Sequence, residues 1–598
     1  MSEFSSAKTL RERVDLLSET MSSDVAITFL PSVDALNAER RISFNLFAAE
    51  TRALTHAILA AGVQPGSTIA ALLPLSDTSY QAILASMLVG TLAPMNYFLE
   101  ADAFTGLIKG VRANTLLTTL SAADDPAYAA KVAAIRAAIP DLRHIVFGEG
   151  DVPEGAIRID TNLDAATGEA WPDGLPNSPD RHLVYMLTGG TTGLPKVVPH
   201  TEKMYLSLFE SGSRAQGSVR GETMLSALPL FHTSGVLNAG LIPLMAGASI
   251  VVPSAKGFRD PDLVKRYWDL VNTYGVTVGA AVPTALAAVA ANMQGVSVPK
   301  MRLILTGGAP LPQTIADEVK STLGVDIVNG WGMTETCGFS VLNPLDNPRS
   351  ETVGYAIEGV EVEVRELQSD GALGGQVSSG QIGELVARGS IVIQSYLRPK
   401  PETFTEDGWL RTGDLARFDE AGALMITGRA KDLIIRGGHN IDPSIIEDAA
   451  DRYPAVQLSA AVGRPDAYSG ELPVLFVQLR PGEAATPQEI LEFISPHIPE
   501  RAAIPKAIYI LDELPLSGPG KISKLSLRKR AAAQVFQKDI DTAAGPDRAA
   551  VELQDDPEFG QVASIFPKEF LSRAVRDSID AQLAKYSIKT RWNKGPAK

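Results

Sequence analysis

At 598 residues the chain exceeds what one hydrophobic core supports, so two or more domains are expected. Hydrophobic residues at 45% and charged residues at 21% are the proportions of an ordinary globular protein. With 69 acidic against 54 basic residues the net charge is −15, which argues against nucleic acid or an anionic membrane as the main partner and leaves any anionic substrate to local cations.

The single cysteine, Cys337, excludes a disulfide within the chain and fits a reducing compartment; it reads as a small buried hydrophobe rather than a nucleophile. The histidines show no zinc spacing, and no Gly-x-Ser-x-Gly elbow occurs. Met1 to Leu17 is polar and lacks a signal-peptide core. The longest apolar run, Val236 to Pro253, is interrupted by Asn238, Gly240, Pro243 and Gly247, which suits a buried helix followed by the strand Ala248–Val252 better than a membrane span. A cytoplasmic protein with no integral membrane segment is the expectation.

In chain order, Phe44 to Ala61 has helical spacing and ends at Gly62, Thr68–Leu73 reads as a buried strand, and Tyr80–Val89 returns to helix. Strands at Thr115–Leu120 and His144–Phe147 flank the Ala-rich helix Tyr128–Ala138. Met224–Leu228, Ser249–Val252 and Leu303–Thr306 are further strands, with helices at Pro261–Thr273 and Pro283–Met293. Such alternation implies parallel sheets covered by helices. From Val353 the texture changes to alternating strands with Gly-rich turns, such as Val360–Arg365, which suggests a small antiparallel or barrel-like subdomain. Asp442 with Pro443 marks a helix start. Asp539–Phe559 is acidic with Ala and Pro and reads as a loose linker, before an amphipathic helix carrying Leu571, Val575, Ile579, Leu583 and Tyr586.

Between strand-like Leu183–Met186 and Lys196 the chain runs Leu187-Thr188-Gly189-Gly190-Thr191-Thr192-Gly193-Leu194-Pro195. Closely spaced glycines allow successive N–H groups to form an anion-binding nest, threonine hydroxyls add donors, and Lys196 adds a cation, so a polyphosphate is the ligand this loop would hold. The spacing is not that of a Walker A loop, and a Gly/Thr-rich surface turn is the alternative. Asn329-Gly-Trp331-Gly-Met333-Thr334-Glu335, Trp409-Leu-Arg-Thr-Gly-Asp414, Gly428-Arg429-Ala-Lys431-Asp432 and Pro515-Leu-Ser-Gly-Pro-Gly-Lys521 follow in that order. The set resembles the adenylate-forming superfamily of acyl-CoA synthetases, luciferases and peptide-synthetase adenylation domains, from about Ile42 to about Arg530. Gly189 departs from a frequent serine, and His439 from the glutamate often found after Gly437-Gly438.

The resemblance implies an ATP-dependent carboxylate–CoA ligase that forms an acyl-adenylate and releases pyrophosphate and AMP. It implies ATP, Mg²⁺ and coenzyme A as cofactors, and a small carboxylic acid as substrate. Thr188 to Gly193, Lys196, Gly437 and Gly438 are expected at the nucleotide, with Gly307, Gly308, Ala309, Trp331, Gly332 and Met333 beside the adenine and Thr334 at the α-phosphate. Glu335 and Thr188 would bind the metal, Asp414 and Arg429 the ribose, and Lys521 the carboxylate and α-phosphate together, with Lys524 as an auxiliary cation. His232 would gate pantetheine entry. The resemblance also implies a hinge at Lys431.

The small or apolar residues Val236, Val282 and Gly332 suggest a fatty or aryl acid; since acetate-activating members of the family carry a tryptophan at the place of Gly332, the resemblance implies a pocket deeper than acetate needs. The expected architecture is α/β: residues 1–428 as an AMP-binding domain with a barrel-like subdomain, 429–535 as a small mobile α+β lid, and 536–598 as an extension that docks on the body or a second copy. Transfer to a carrier protein, or an inactive nucleotide-binding protein, are the competing readings.

Overall fold

Two large sheets carry the site-bearing loops at the ends of their strands. The computed structural model describes residues 4–593, apart from 35–37, 98, 100, 121–125, 149, 161–169, 189–195, 310, 369–370, 437–438, 499–500, 518–519, 557–559 and 587. The first sheet runs, edge to edge, Tyr355–Ala356, Gly338–Leu342, Asp326–Met333, Leu303–Gly307, Val278–Ala280, Thr223–Leu225, Ser249–Val252, Val25–Phe29 and Arg40–Ser43. The second runs Ile157–Ile159, Arg143–Phe147, Thr115–Thr119, Thr68–Ala71, Thr91–Pro94, His182–Thr188 and Lys196–Thr201. Their central strands pair in parallel, and Thr91–Pro94, Thr115–Thr119 and Val278–Ala280 are buried along their whole length, as helices on both faces require.

Local chemistry sets the helix ends. Ser43 accepts the Leu46 N–H at 3.2 Å to start Phe44–Ala60, and Gly62, at φ 87°, turns the chain out of it. Asp260 accepts from Asp262 N–H at 3.1 Å, with Pro261 at the first position of Pro261–Thr273. The long apolar run is a buried helix and then a strand, but the helix is π-helical over Ser234–Leu241, followed by a short α-helical turn, Ile242–Met245. A β-carbon on Gly235 would meet the Pro229 carbonyl oxygen at 2.2 Å, and one on Gly240 the Tyr80 ring at 2.4 Å, so these glycines allow the wide helix to sit this deep.

The strands after Val353 form an antiparallel sheet ordered Leu373–Gln376, Val360–Leu367, Gly383–Gly389, Leu410–Phe418, Leu424–Arg429. Beyond it, Ile434–Arg436, His439–Ile441, Val456–Asp466, Gly470–Leu479 and Ile508–Leu511 make a separate sheet with its own core, including Ile434, Ile446, Leu475 and Ile494. Asp442 caps Pro443–Asp451 by accepting the Ser444 N–H at 2.9 Å.

The expected linker over Asp539–Phe559 is a correction. Helix Lys524–Ala544 runs through its first part, and strand Ala549–Asp556 pairs antiparallel with Gly560–Pro567. Phe536, Ile540 and Ala544 on that helix pack with Val551, Ala563, Ile565, Ile579 and Leu583, so the apolar residues spaced among the charges have a partner surface and residues 539–556 are structured. The amphipathic helix is Arg573–Leu583, docked on Lys524–Ala544 of the same chain. Among the described residues no helix is long and apolar enough to cross a membrane.

Candidate active site

Strand Asp326–Met333 is squeezed between Leu303–Gly307 and the antiparallel Gly338–Leu342. Backbone crowding explains its glycines: a β-carbon on Gly332 would lie 1.8 Å from the Gly338 carbonyl oxygen, and one on Gly307 would lie 2.4 Å from the Gly330 carbonyl oxygen. The crowding gives Gly332 a reason to be glycine that the depth of an acyl pocket does not supply. Its missing side chain makes room for the neighbouring strand. Val236 and Val282 are both buried members of the main core cluster.

The strand ends in a 3₁₀ turn, Thr334–Thr336, closed by the Thr336 hydroxyl, which accepts the Met333 N–H at 3.1 Å and donates to the Gly338 carbonyl at 3.0 Å. Cys337 is fully buried behind it, as expected of a small hydrophobe, and burial raises its thiol well above the ordinary range. His200 donates through Nε2 to the Thr334 carbonyl at 2.7 Å, and burial lowers its pKa to about 4, so it braces the turn as a neutral ring.

Glu335 is buried, and its Oε1 accepts the Tyr396 hydroxyl at 2.7 Å. The same hydroxyl lies 3.4 Å from Lys196 Nζ, which sits 4.8 Å from the centre of the Tyr396 ring. Backbone bonds hold this link at both ends: Ile393 N–H donates to the Glu335 carbonyl at 3.0 Å and Leu397 N–H to the Val197 carbonyl at 3.2 Å. Sequence reasoning missed Tyr396. One tyrosine after an apolar run carries no spacing signal, and only the fold brings it to Glu335. Thr188 pairs with Lys196 across the base of the glycine loop; Gly189, Gly190, Thr191, Thr192 and Gly193 lie outside the described residues.

Asp414 and Arg429 face each other on adjacent strands, with Arg429 Nε 3.0 Å from Asp414 Oδ1. The Trp331 indole N–H donates to Asp414 Oδ2 at 2.8 Å. The ring expected beside an adenine thus also orients the carboxylate expected at a ribose. Each carboxylate oxygen keeps a further acceptor site for a hydroxyl.

Lys521 is brought to this cluster by the second sheet-and-helix unit. The Thr284 hydroxyl donates to the Gly520 carbonyl at 2.6 Å, beside Val282, and a β-carbon on Gly308 would meet Lys521 Nζ at 3.0 Å. Among the described residues Lys521 has no ion pair. Burial pushes its ammonium down to about 8, with Arg429 adding to the shift and Asp414 opposing it. His232 Nδ1 accepts the Ser234 N–H at 3.2 Å and meets its hydroxyl at 2.8 Å; burial first and the Lys521 charge second lower its pKa to about 3, so it is a neutral group beside the lysine. Lys524 is another correction: its ammonium is 2.6 Å from Glu447 Oε1 and is spent within its own unit. Lys431 lies in the turn Ala430–Asp432, Ala309 follows Gly308 at the same strand end, and Gly437 and Gly438 fall outside the described residues.

Among the described residues no group of three acidic, histidine or cysteine side chains is arranged to hold a metal ion. A single buried carboxylate, whose second oxygen has no partner among the described residues, still fits Mg²⁺, which takes one or two carboxylates and completes its shell with phosphate oxygens and water.

Residues 19–397 match the AMP-binding enzyme family and residues 445–521 its C-terminal domain, and the chain belongs to this family. It is 30% identical over 549 residues to the marinolic acid–CoA ligase of Pseudoalteromonas sp. (strain SANK 73390), covering 90% of this chain and 84% of that protein. It is also 30% identical over 504 residues to the sulfoacetate–CoA ligase of Cupriavidus necator, covering 82% and 92%. ATP-bound MatB from Rhodopseudomonas palustris superposes with a TM-score of 0.71 at 26% identity, over 86% of this chain and 98% of that one. An anthranilate CoA ligase, AuaEII, solved with anthranoyl-AMP, shares the fold with a TM-score of 0.75 at 23% identity, over 88% and 98%. The protein is an AMP-forming acid–thiol ligase that uses ATP and CoA.

Proposed function

We propose that this ligase activates an acid with a largely apolar or aryl body, and that residues from the two parts of the chain divide its two half-reactions. The observation that carries the reading is the placement of Lys521 against Gly308, within the electrostatic reach of Asp414, Arg429 and His232. In the first half-reaction a carboxylate oxygen attacks the α-phosphorus of ATP, and pyrophosphate leaves. Lys521 neutralises charge shared by carboxylate and α-phosphate, Thr334 donates to the α-phosphate, and Asp414 with Arg429 holds the ribose. Bound at Glu335 and Thr188, Mg²⁺ would supply charge stabilisation for the phosphates. Lys196 adds a cation at the base of the glycine loop.

In the second half-reaction the CoA sulfur attacks the acyl carbon and AMP leaves. Lys521 then occupies space that the thiol needs, so the part of the chain that follows Lys431 turns about that residue between the steps. His232, neutral and beside the lysine, guards that approach. Val282, next to Gly520, lines the acyl end. The reaction has no need of a second copy, and a cytoplasmic setting supplies ATP and CoA. The test is pyrophosphate exchange into ATP that depends on added acid, followed by AMP release that depends on CoA. Exchange without CoA-dependent AMP release would favour a carrier protein as acceptor, and neither activity with any acid would end this reading.

A further inference from the structure

Lys521 sits on a loop that is closed within its own unit. Leu516 and Ile522 form an antiparallel bridge, the Ser517 N–H donates to the Lys521 carbonyl at 2.6 Å, and the Ser523 N–H donates to the Pro515 carbonyl at 2.7 Å. Among the described residues, one hydrogen bond joins this loop to the chain before Lys431: the Thr284 hydroxyl donates to the Gly520 carbonyl at 2.6 Å. Gly520 takes φ 85°, a conformation that favours glycine, and its carbonyl belongs to the planar peptide from which Lys521 projects. A bond to that oxygen fixes the peptide directly before the lysine. Thr284 is the second residue of helix Pro283–Ala290. No turn of its own helix precedes it, so its hydroxyl has no i−4 helical carbonyl to bond and donates across to the loop instead.

Stabilising a transition state depends on where the charge stands, and a displacement of about 1 Å can cost a hundredfold in rate. A lysine side chain is long and flexible, so its placement rests on the backbone it grows from. We propose that Thr284 is a positioning residue for the first half-reaction, holding the Gly520–Lys521 peptide so that the ammonium meets the carboxylate and the α-phosphate. The same bond has to break when Lys521 leaves, so Thr284 has no part in thiol attack. This inference rests on the role given to Lys521 under the proposed function. A second contact between the same two parts of the chain supplies a control. Arg480 meets Glu318 at 3.6 Å, with each side chain 36% exposed, so solvent screens the pair.

The experiment measures the two half-reactions separately in the full-length enzyme and in Thr284→Val, Thr284→Ala, Thr284→Ser and Glu318→Gln. Valine keeps the shape of threonine without the donor, alanine repeats the loss without any crowding, and serine keeps the hydroxyl. Acid-dependent pyrophosphate exchange at saturating ATP should fall about threefold to tenfold in Thr284→Val and Thr284→Ala. CoA capture of a supplied acyl-adenylate should stay within about twofold, and Thr284→Ser and Glu318→Gln should exchange within about twofold of wild type. The pH profile adds a readout that a merely structural loss would not move. Burial and Arg429 bring the lysine down to about 8 against the pull of Asp414, so exchange in wild type declines above that pH. With the loop released in Thr284→Val the ammonium meets more water, its pKa rises, and the decline moves to higher pH. Unchanged exchange, equal loss in both half-reactions, no rescue by serine, or the same split in Glu318→Gln would overturn the assignment. If Lys521→Ala itself fails to separate the half-reactions, the proposed function fails and takes this inference with it; a split there and none in Thr284→Val overturns this inference alone.

Discussion

The two halves of the site are built differently. On the body, Thr334, Glu335 and Asp414 each have partners within 3.0 Å: His200 on the Thr334 carbonyl, Tyr396 on Glu335, and Trp331 and Arg429 on Asp414. On the lid, Lys521 has no ion pair among the described residues, and the Gly520 carbonyl on the Thr284 hydroxyl holds its loop against the body. Under the proposed function, the body's groups serve throughout, whereas Lys521, which has no ion pair among the described residues, serves only the first half-reaction. Rigid placement suits groups that stabilise charge in place, and weak attachment suits one that has to be exchanged for a thiol.

The largest effect should come from filling the crowded strand of the body. Gly332→Ala pushes a methyl into the Gly338 carbonyl and should cost roughly 3 kcal/mol of stability or more, with loss of activity. Gly375→Ala, where nothing lies within 4 Å of the new carbon, should melt like wild type. If Gly332→Ala melted normally, the tight crossing would not be what positions Glu335.

Next is Tyr396→Phe, which keeps the ring under Lys196 but removes the donor to Glu335. It should lower kcat/KM for ATP by about fivefold to tenfold, leave KM for the acid unchanged, and weaken Mn²⁺ binding to the enzyme–nucleotide complex as read by electron paramagnetic resonance. A uniform fall in every parameter would point to damaged packing instead.

The smallest effect concerns the lid's own stability. Asp451, which accepts the Ser459 hydroxyl at 2.7 Å, is pushed up from 3.8 to about 7, mainly by burial, with Glu447 and Asp448 adding to it. Its folded-state pKa lies above its unfolded one, so it binds a proton in the folded lid that the unfolded chain has released. Stability is therefore lost as pH rises from about 4 to about 7. Asp451→Asn should gain about 1 kcal/mol at pH 8 and nothing at pH 3.5, by thermal unfolding. An equal gain at both pH values would contradict the charge explanation.

Much of the frame was legible in the sequence because periodicity and caps act locally. Pro261–Thr273 and Ser249–Val252 have the expected bounds, and Asp442 caps the helix that Pro443 opens. Of the motif residues, Asp414, Arg429 and Lys521 lie within electrostatic reach of one another, and Glu335 lies in the turn that ends the strand carrying Trp331. What stayed hidden depends on contacts distant in sequence. Tyr396 reaches Glu335 across 61 positions, and Thr284 reaches Gly520 across 236. The backbone crowding at Gly332 stayed hidden because a missing side chain looks the same in sequence whether it clears substrate or a neighbouring strand. The segment around Ala549 read as a linker because its charges hid the alternate apolar residues that meet Phe536.

The division between a fixed body and an exchangeable lid is tested most directly with Lys521→Ala in separated half-reactions. Acid-dependent pyrophosphate exchange into ATP should fall by roughly 10²–10³-fold, while CoA capture of a supplied acyl-adenylate should change by less than about threefold. In wild type the exchange reaction should also decline above pH 8 as the lysine, already lowered to about 8, loses its proton. Equal loss in both half-reactions would contradict the account, because Lys521 would then serve throughout, as the body's residues do.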